Sequence, residues 1–298
     1  MKISLCICFS RKNSRFHHKV LNDLNQIIIP KGYILQLYFI LNSDVKNFQY
    51  LFSKIIIKKK LNIKILKIFE KNIPKTRNIF LEEIKQKNIK YAGFLDDDCK
   101  IDRKWLLKMT EFISKNDCDI VGGPQKHYFY NNKFKEFYNF LEPKNINKEQ
   151  VNWVATNNCF FKKNIVEQIN FKFDETLKNI GGSDQLFFSK LKKVGFCLMW
   201  NNDAKVKEYY QANRENMSWF LKRNFRYGFS GLVIDNNIYG KTIGSLLSIL
   251  KIGYLVLMSL VNLIYITKKY NFTQSFFLLT KVLGRITALL GFKLKKYY

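Results

Sequence analysis

The chain has 298 residues, enough for one large domain or a domain with an appendage; its 47% hydrophobic and 25% charged content excludes a disordered chain. The formal net charge is +28, but only 8 of the 51 basic residues are arginine, the residue that readers of nucleic acid favour for bidentate contacts. The lysines run along the whole chain among Asn and Ile, so no nucleic-acid partner is expected, and an anionic membrane surface fits only where basic residues border apolar helices.

Ile3–Phe9 is an apolar run too short for a signal peptide and is read as a first strand, with Cys6 and Cys8 on one face. Ser10-Arg11-Lys12-Asn13 is the loop after it, and a helix follows through Leu24 and Ile27. Tyr33–Leu41 is a second strand, Phe48–Lys59 a helix, Asn62–Phe69 a third strand and Arg77–Gln86 a helix. Tyr91–Leu95 is a buried strand, and a helix begins near Lys104, with Asp102 as its N-cap. Strands alternating with helices predict a mainly parallel sheet with crossover helices. Beyond it the pattern loosens. Asp119–Gly123 runs from strand into turn, Val151–Phe161 returns to strand, and Phe196–Trp200 is another strand. The six cysteines match no zinc spacing and are read as reduced thiols of a cytosolic protein. His17, His18 and His127 are not spaced as a metal set and are read as surface or loop residues.

Two sites carry chemistry. The strand at Tyr91–Leu95 ends in Asp96-Asp97-Asp98. Three adjacent carboxylates repel one another, and a hard divalent cation with oxygen ligands compensates them, held by one or two carboxylates plus substrate phosphates. Open α/β sheets bind ligands at this place, beyond the carboxyl end of a strand. Downstream, Gly181-Gly182 permits a tight turn and close approach of backbone to a ligand, and Ser183 or Asp184 caps a helix from Gln185. Asp184 then stands at a loop–helix junction where a carboxylate can face a pocket.

With these pieces in order, Lys2–Arg226 resembles an inverting family 2 glycosyltransferase of the GT-A fold, of the bacterial polysaccharide- and lipopolysaccharide-synthesis type. The matching segments are Leu5–Arg11, Asn42-Ser43, Lys75–Asn78, Phe94–Asp98, Val121–Gly123, Thr156–Asn158, Phe173–Glu175, Gly181–Asp184 and Arg223–Gly228. The resemblance implies a mixed sheet flanked by helices. It sets Ser10, Arg11, Asn42, Arg77, Asp96 and Asp97 against the nucleotide, Asp98 on a Mn²⁺ or Mg²⁺ ion, Asp184 as catalytic base, and Asn157, Asn158 and Gly182 on the acceptor side. The family often has Asp where this chain has Leu41, and Glu where it has Ser183. The implied reaction moves a sugar from a nucleotide-diphosphate donor, UDP-linked by expectation, to a lipid-linked or growing glycan. A nucleotidyltransferase that makes activated sugars is the first rival, weakened because Ser10–Asn13 has no glycine for a phosphate loop. A basic membrane- or nucleic-acid-binding protein is the second, and it leaves the acidic triplet and Asp184 unexplained.

The catalytic domain is expected over residues 1–225 and a helical membrane-association segment over 226–298. From Trp219 the chain is helical and increasingly apolar, and between Ile243 and Thr267 the one charge is Lys251. The uncharged run Ile252–Thr267 falls a little short of the ~20 residues that span a bilayer. Helices lying in the interface at the cytoplasmic face of the inner membrane are expected, with Lys251, Lys281, Arg285 and Lys293–Lys296 at the headgroups.

Overall fold

The computed structural model describes residues 1–10, 14–42, 61–129, 145–168, 172–209, 212–265 and 271–294. Arg11, Ser43 and the helix expected over Phe48–Lys59 lie outside them. The chain divides into two compact units, one of residues 1–128, 144–175 and 187–209, the other of 129–143, 176–186 and 210–298.

In chain order the first unit holds β1 (Lys2–Ser10), α1 (Ser14–Gln26), β2 (Ile34–Asn42), β3 (Asn62–Ile68), α2 (Ile73–Lys85), β4 (Tyr91–Asp96), β5 (Cys99–Ile101), α3 (Trp105–Lys115), β6 (Ile120–Gly122), β7 (Gln125–Tyr128), β8 (Asn158–Lys162) and α4 (Asn164–Gln168). After α5 (Ser183–Lys193), whose first residues fall in the second unit, come β9 (Leu198–Trp200) and β10 (Val206–Tyr209). Seven strands form a mixed sheet in the order β3-β2-β1-β4-β8-β6-β9. β1 is parallel to both β2 and β4, while β8 runs antiparallel to β4 and β6.

β1 explains the centre of this unit. Its odd residues Ile3, Leu5, Ile7 and Phe9 join a core with Val20, Leu21 and Leu24 of α1 and Leu106 and Met109 of α3. Its even residues Cys6 and Cys8 join Phe80 and Ile84 of α2, Phe94 and Phe161 on the other face. A strand buried on both faces reads as a continuous apolar run, which is how it stands in the sequence. Each such Leu, Ile or Phe contributes roughly 1.5–3 kcal/mol on burial.

Several expectations need correction. α2 begins at Ile73, ahead of the expected Arg77, because the Asn72 side chain accepts the Lys75 N–H at 3.1 Å and Pro74 fits the first turn. Asp102 does not cap α3 with its side chain; its carboxylate accepts the Lys104 N–H at 2.8 Å in the turn before, and Lys104 is the cap residue. The strand expected over Val151–Phe161 is confined to Asn158–Lys162. A second sheet, β5-β10-β7, was not anticipated, since strands of three and four residues carry too little alternation to register.

The second unit is built on α6 (Met217–Tyr239), α7 (Lys241–Ile264) and α8 (Asn271–Leu289). Ser259 pairs with Ser275 and Ser248 with Arg285, so α7 runs antiparallel to α8. α6 and α8 touch backbone to backbone: a Cβ on Gly228 would lie 1.9 Å from the Lys281 carbonyl oxygen, and one on Gly284 2.0 Å from that of Phe225. Two of the basic residues expected at headgroups, Lys251 and Arg285, pair with a carboxylate of the bundle. Asp235, buried in α6, accepts Lys251 Nζ at 2.7 Å and Arg285 at 2.9 Å, and Arg285 also donates to Ser248 Oγ at 2.7 Å. A carboxylate in an apolar bundle requires such counter-charge, and Asp235 takes it from the buried Arg285 and from Lys251, which stays exposed. Lys295 and Lys296 lie outside the described residues.

Candidate active site

The strand order places a switch point between β1 and β4, because the chain leaves β1 toward β2 on one side and returns as β4 on the other. Ligand crevices open at such points beyond the carboxyl ends of the strands. In register, Ser10 stands opposite Asn42, and Cys8 opposite Asp96. Three candidate residues therefore share one edge of the sheet.

The acidic triplet follows from that geometry. Asp96 closes β4 and is half-buried. Asp97 is 2% exposed and turned into the fold, where its Oδ2 accepts the Ser10 backbone N–H at 2.7 Å and lies 3.1 Å from His17 Nε2. Asp98 is 6% exposed, and its carbonyl accepts the Tyr209 N–H at 3.2 Å, which ties the triplet to β10. The neighbouring Cys99 thiol is held well above its ordinary pKa, first by burial and then by the charges of Asp98 and Asp96. Negative charge is thus concentrated at the end of β4.

His17 corrects the reading of the histidines as surface or loop residues. It is fully buried in α1, and its Nε2 lies 3.1 Å from the Ser10 carbonyl as well as from Asp97. A signal existed in the sequence: His17, Leu21 and Leu24 recur at i, i+4, i+7 on the inward stripe of α1. His18 is exposed, and His127 on β7 has Nδ1 3.1 Å from a Glu208 oxygen.

Arg77 is buried in α2 with its guanidinium 5.5 Å from the centre of the Phe173 ring. Beside it Asn78 fixes the Phe173–Glu175 segment, accepting the Phe173 N–H at 2.7 Å and donating to the Phe173 carbonyl at 2.9 Å and to Glu175 at 3.0 Å. That role was missed, because nothing in the sequence links residues 95 positions apart. Asn157 and Asn158 differ sharply. Asn158 accepts from the Trp105 indole at 2.8 Å and donates to the carbonyls of Ala204 at 2.8 Å and Pro124 at 3.1 Å, so its amide is committed to the fold. Asn157 is also buried, yet its Oδ1 has no hydrogen-bond partner among the described residues. The Asn42 side chain, like Arg11, lies outside what is described.

Asp184 belongs to the second unit. Gly181 and Gly182 both have φ of +84°, the left-handed region that favours glycine. A Cβ on Gly182 would lie 3.0 Å from Ile234, so the turn also packs tightly. α5 begins at Ser183, two residues before expected, which puts Asp184 in its first turn, where the N-terminal dipole favours a carboxylate. Its Oδ1 accepts the Gln185 N–H at 2.9 Å.

The profile of glycosyl transferase family 2 matches residues 19–170, just over half of the chain. The chain belongs to glycosyl transferase family 2. Among curated relatives of this glycosyltransferase is the succinoglycan biosynthesis protein ExoM of Rhizobium meliloti (strain 1021), 25% identical over 143 residues that cover 46% of each chain. The match therefore spans less than half of that relative. Among solved structures, S. aureus TarS 1–349 in complex with UDP superposes with a TM-score of 0.58 at 14% identity, covering 99% of this chain and 93% of that one. The mannosyltransferase PcManGT of Pyrobaculum calidifontis, in complex with GDP-Man and Mn²⁺, superposes with a TM-score of 0.65 at 11% identity, covering 98% and 88%. At these identities the likeness concerns the fold, and that fold is GT-A.

GT-A glycosyltransferases commonly use a divalent metal. Among the described residues no three His, Cys, Asp or Glu side chains converge to cage an ion. The donor set still fits a hard cation, which takes one or two carboxylates and completes its shell with phosphates and water. Asp98 and Asp96 flank a residue already anchored in the fold, and hard oxygen donors are the chemistry such an ion requires.

Proposed function

We propose that this family 2 enzyme is a metal-dependent, inverting glycosyltransferase. It moves a sugar from a nucleotide-diphosphate donor, UDP-linked, to a lipid-linked or growing glycan in cell-surface polysaccharide synthesis. The observation that carries this reading is the acidic strand end at the switch point of the sheet, with Ser10, Asn42 and Asp96 on one edge. Ser10, Arg11, Asn42, Arg77, Asp96 and Asp97 are assigned to the nucleotide side, Asp97 from behind through Ser10. Asp98 is assigned to the cation, which when bound would neutralise charge growing on the departing diphosphate. Asp184 is assigned as the base that takes the proton of the attacking hydroxyl, and one displacement with one base inverts the anomeric carbon. Asn157 and Gly182 are assigned to the acceptor, and Asn158, first expected beside them, instead spends its amide on Trp105, Pro124 and Ala204. UDP in one structural neighbour, GDP-Man with Mn²⁺ in another and succinoglycan synthesis in a curated relative support the donor class and the setting.

The second unit is proposed to bring the enzyme to the cytoplasmic face of the plasma membrane. α7 is long and apolar enough to cross a membrane, and Leu250 and Ile264 are 70% and 75% exposed. Pairing of Lys251 with Asp235 lowers the cost of its charge beside lipid.

The test is to incubate the full chain with UDP- and GDP-sugars, Mn²⁺ and a membrane lipid extract, and to follow the nucleotide. Release of nucleoside diphosphate with sugar moved into the lipid fraction is the expected result. Pyrophosphate release from a nucleoside triphosphate and a sugar phosphate would instead establish the nucleotidyltransferase rival.

A further inference from the structure

We propose that His17 is a positioning residue for donor binding, which locks the end of β1 to the acidic triplet. The β1–β4 ladder ends at Cys8↔Asp96. Beyond it the two chain ends are free to part, and that is where the crevice of the switch point opens. Side chains continue the tie. Ser10 is held at both its backbone groups: its N–H donates to Asp97 Oδ2 at 2.7 Å, and its carbonyl lies 3.1 Å from His17 Nε2. The same Nε2 is 3.1 Å from Asp97 Oδ2. Both partners of Nε2 are acceptors, so Nε2 carries the hydrogen that is shared between them. Phe9 packs edge-on against the imidazole at 4.9 Å and fixes its plane. One fully buried side chain on α1 therefore sets the spacing between Ser10, at the end of β1, and Asp97 in the acidic triplet.

The inference rests on the reading of Asp96 and Asp98 as donor and cation groups. Residues that orient ligating groups typically matter 10–100-fold when replaced. The test uses the full chain and two polar variants. His17→Gln keeps an N–H donor near the position of Nε2, and His17→Asn withdraws it. Mn²⁺-supported binding of UDP and of GDP is measured by calorimetry, and exchange of the Ser10 amide by NMR. His17→Asn is expected to weaken nucleotide binding by about 10–100-fold and to speed exchange at Ser10. It should raise KM for the donor more than it lowers kcat. His17→Gln should restore most of both. Wild-type binding by His17→Asn, or equal defects in the two variants, would overturn the proposal. If the wild-type chain binds neither nucleotide with Mn²⁺, the donor reading itself fails. Unchanged Ser10 exchange in His17→Asn overturns the tie whatever the nucleotides do.

Discussion

Asp98 and Asp184 carry the sharpest single-residue consequences of the proposed chemistry. Asp184→Asn keeps shape and a hydrogen-bonding side chain in the first turn of α5 but cannot take a proton. Its expected effect is a fall in turnover of roughly 10²–10⁴ with donor binding retained, read from steady-state rates beside a donor titration; near-normal turnover would remove Asp184 from the base role. The asparagine pair separates fold from function. Asn158→Leu orphans the Trp105 indole and the Ala204 carbonyl, each worth about 1–3 kcal/mol when left buried and unpaired, while the Pro124 carbonyl keeps the Val206 N–H. Asn157→Ala orphans nothing among the described residues, so urea unfolding should register a large loss for Asn158→Leu and little for Asn157→Ala. The opposite ranking would contradict the hydrogen-bond assignment. Both asparagines were legible in the sequence as a motif, but their different duties were not. Which of two adjacent amides meets Trp105, Pro124 and Ala204 is decided by pairings 53, 34 and 46 residues apart. His17 was misread for the same reason, since its partners Ser10 and Asp97 come together only when β1 and β4 pair.

Elements with strong periodicity were legible: β1, β2 and β4 stand within two residues of their expected limits because each is a long apolar run. The small sheet was not, nor was the early start of α2, where a cap and a proline outweighed the apolar pattern. Among the helices the decisive feature is the α6–α8 crossing. Gly228 and Gly284 each stand where a Cβ would strike a carbonyl of the other helix. Gly228→Ala must push α8 away, and overpacking of this kind costs about 1–3 kcal/mol. The measurement is hydrogen exchange along α6 and α8, expected to quicken on both helices. Protection unchanged from wild type would mean that the helices do not approach so closely.

The whole chain has the GT-A fold, and its long apolar helix α7 carries exposed side chains such as Leu250 and Ile264. The basic residues first expected at lipid headgroups are partly consumed by Asp235, so membrane binding should depend on apolar burial more than on salt. Leu250→Glu with Leu257→Glu alters exposed positions of α7, and it should abolish flotation with anionic vesicles while high salt leaves the wild-type chain bound. Flotation of the double variant at the wild-type level would contradict this. The thiols add a pH dependence. Burial pushes Cys118 up from 9.0 to about 12, and lifts Cys6 and Cys99 well above the same value. Such groups favour the fold fully below pH 9.0, and the contribution is lost as pH rises through the folded value, about 12 for Cys118. Urea midpoints should therefore fall above about pH 9, less steeply in Cys118→Ala; equal slopes would contradict it. The central claim is that the acids ending β4 hold a sugar nucleotide through a divalent cation, and calorimetric titration of UDP-sugars into wild type and Asp98→Ala, with Mn²⁺ and then with EDTA, tests it most directly. Binding should require the metal and vanish in Asp98→Ala while the melting curve stays native. Binding that survives EDTA, or that Asp98→Ala retains, would contradict it.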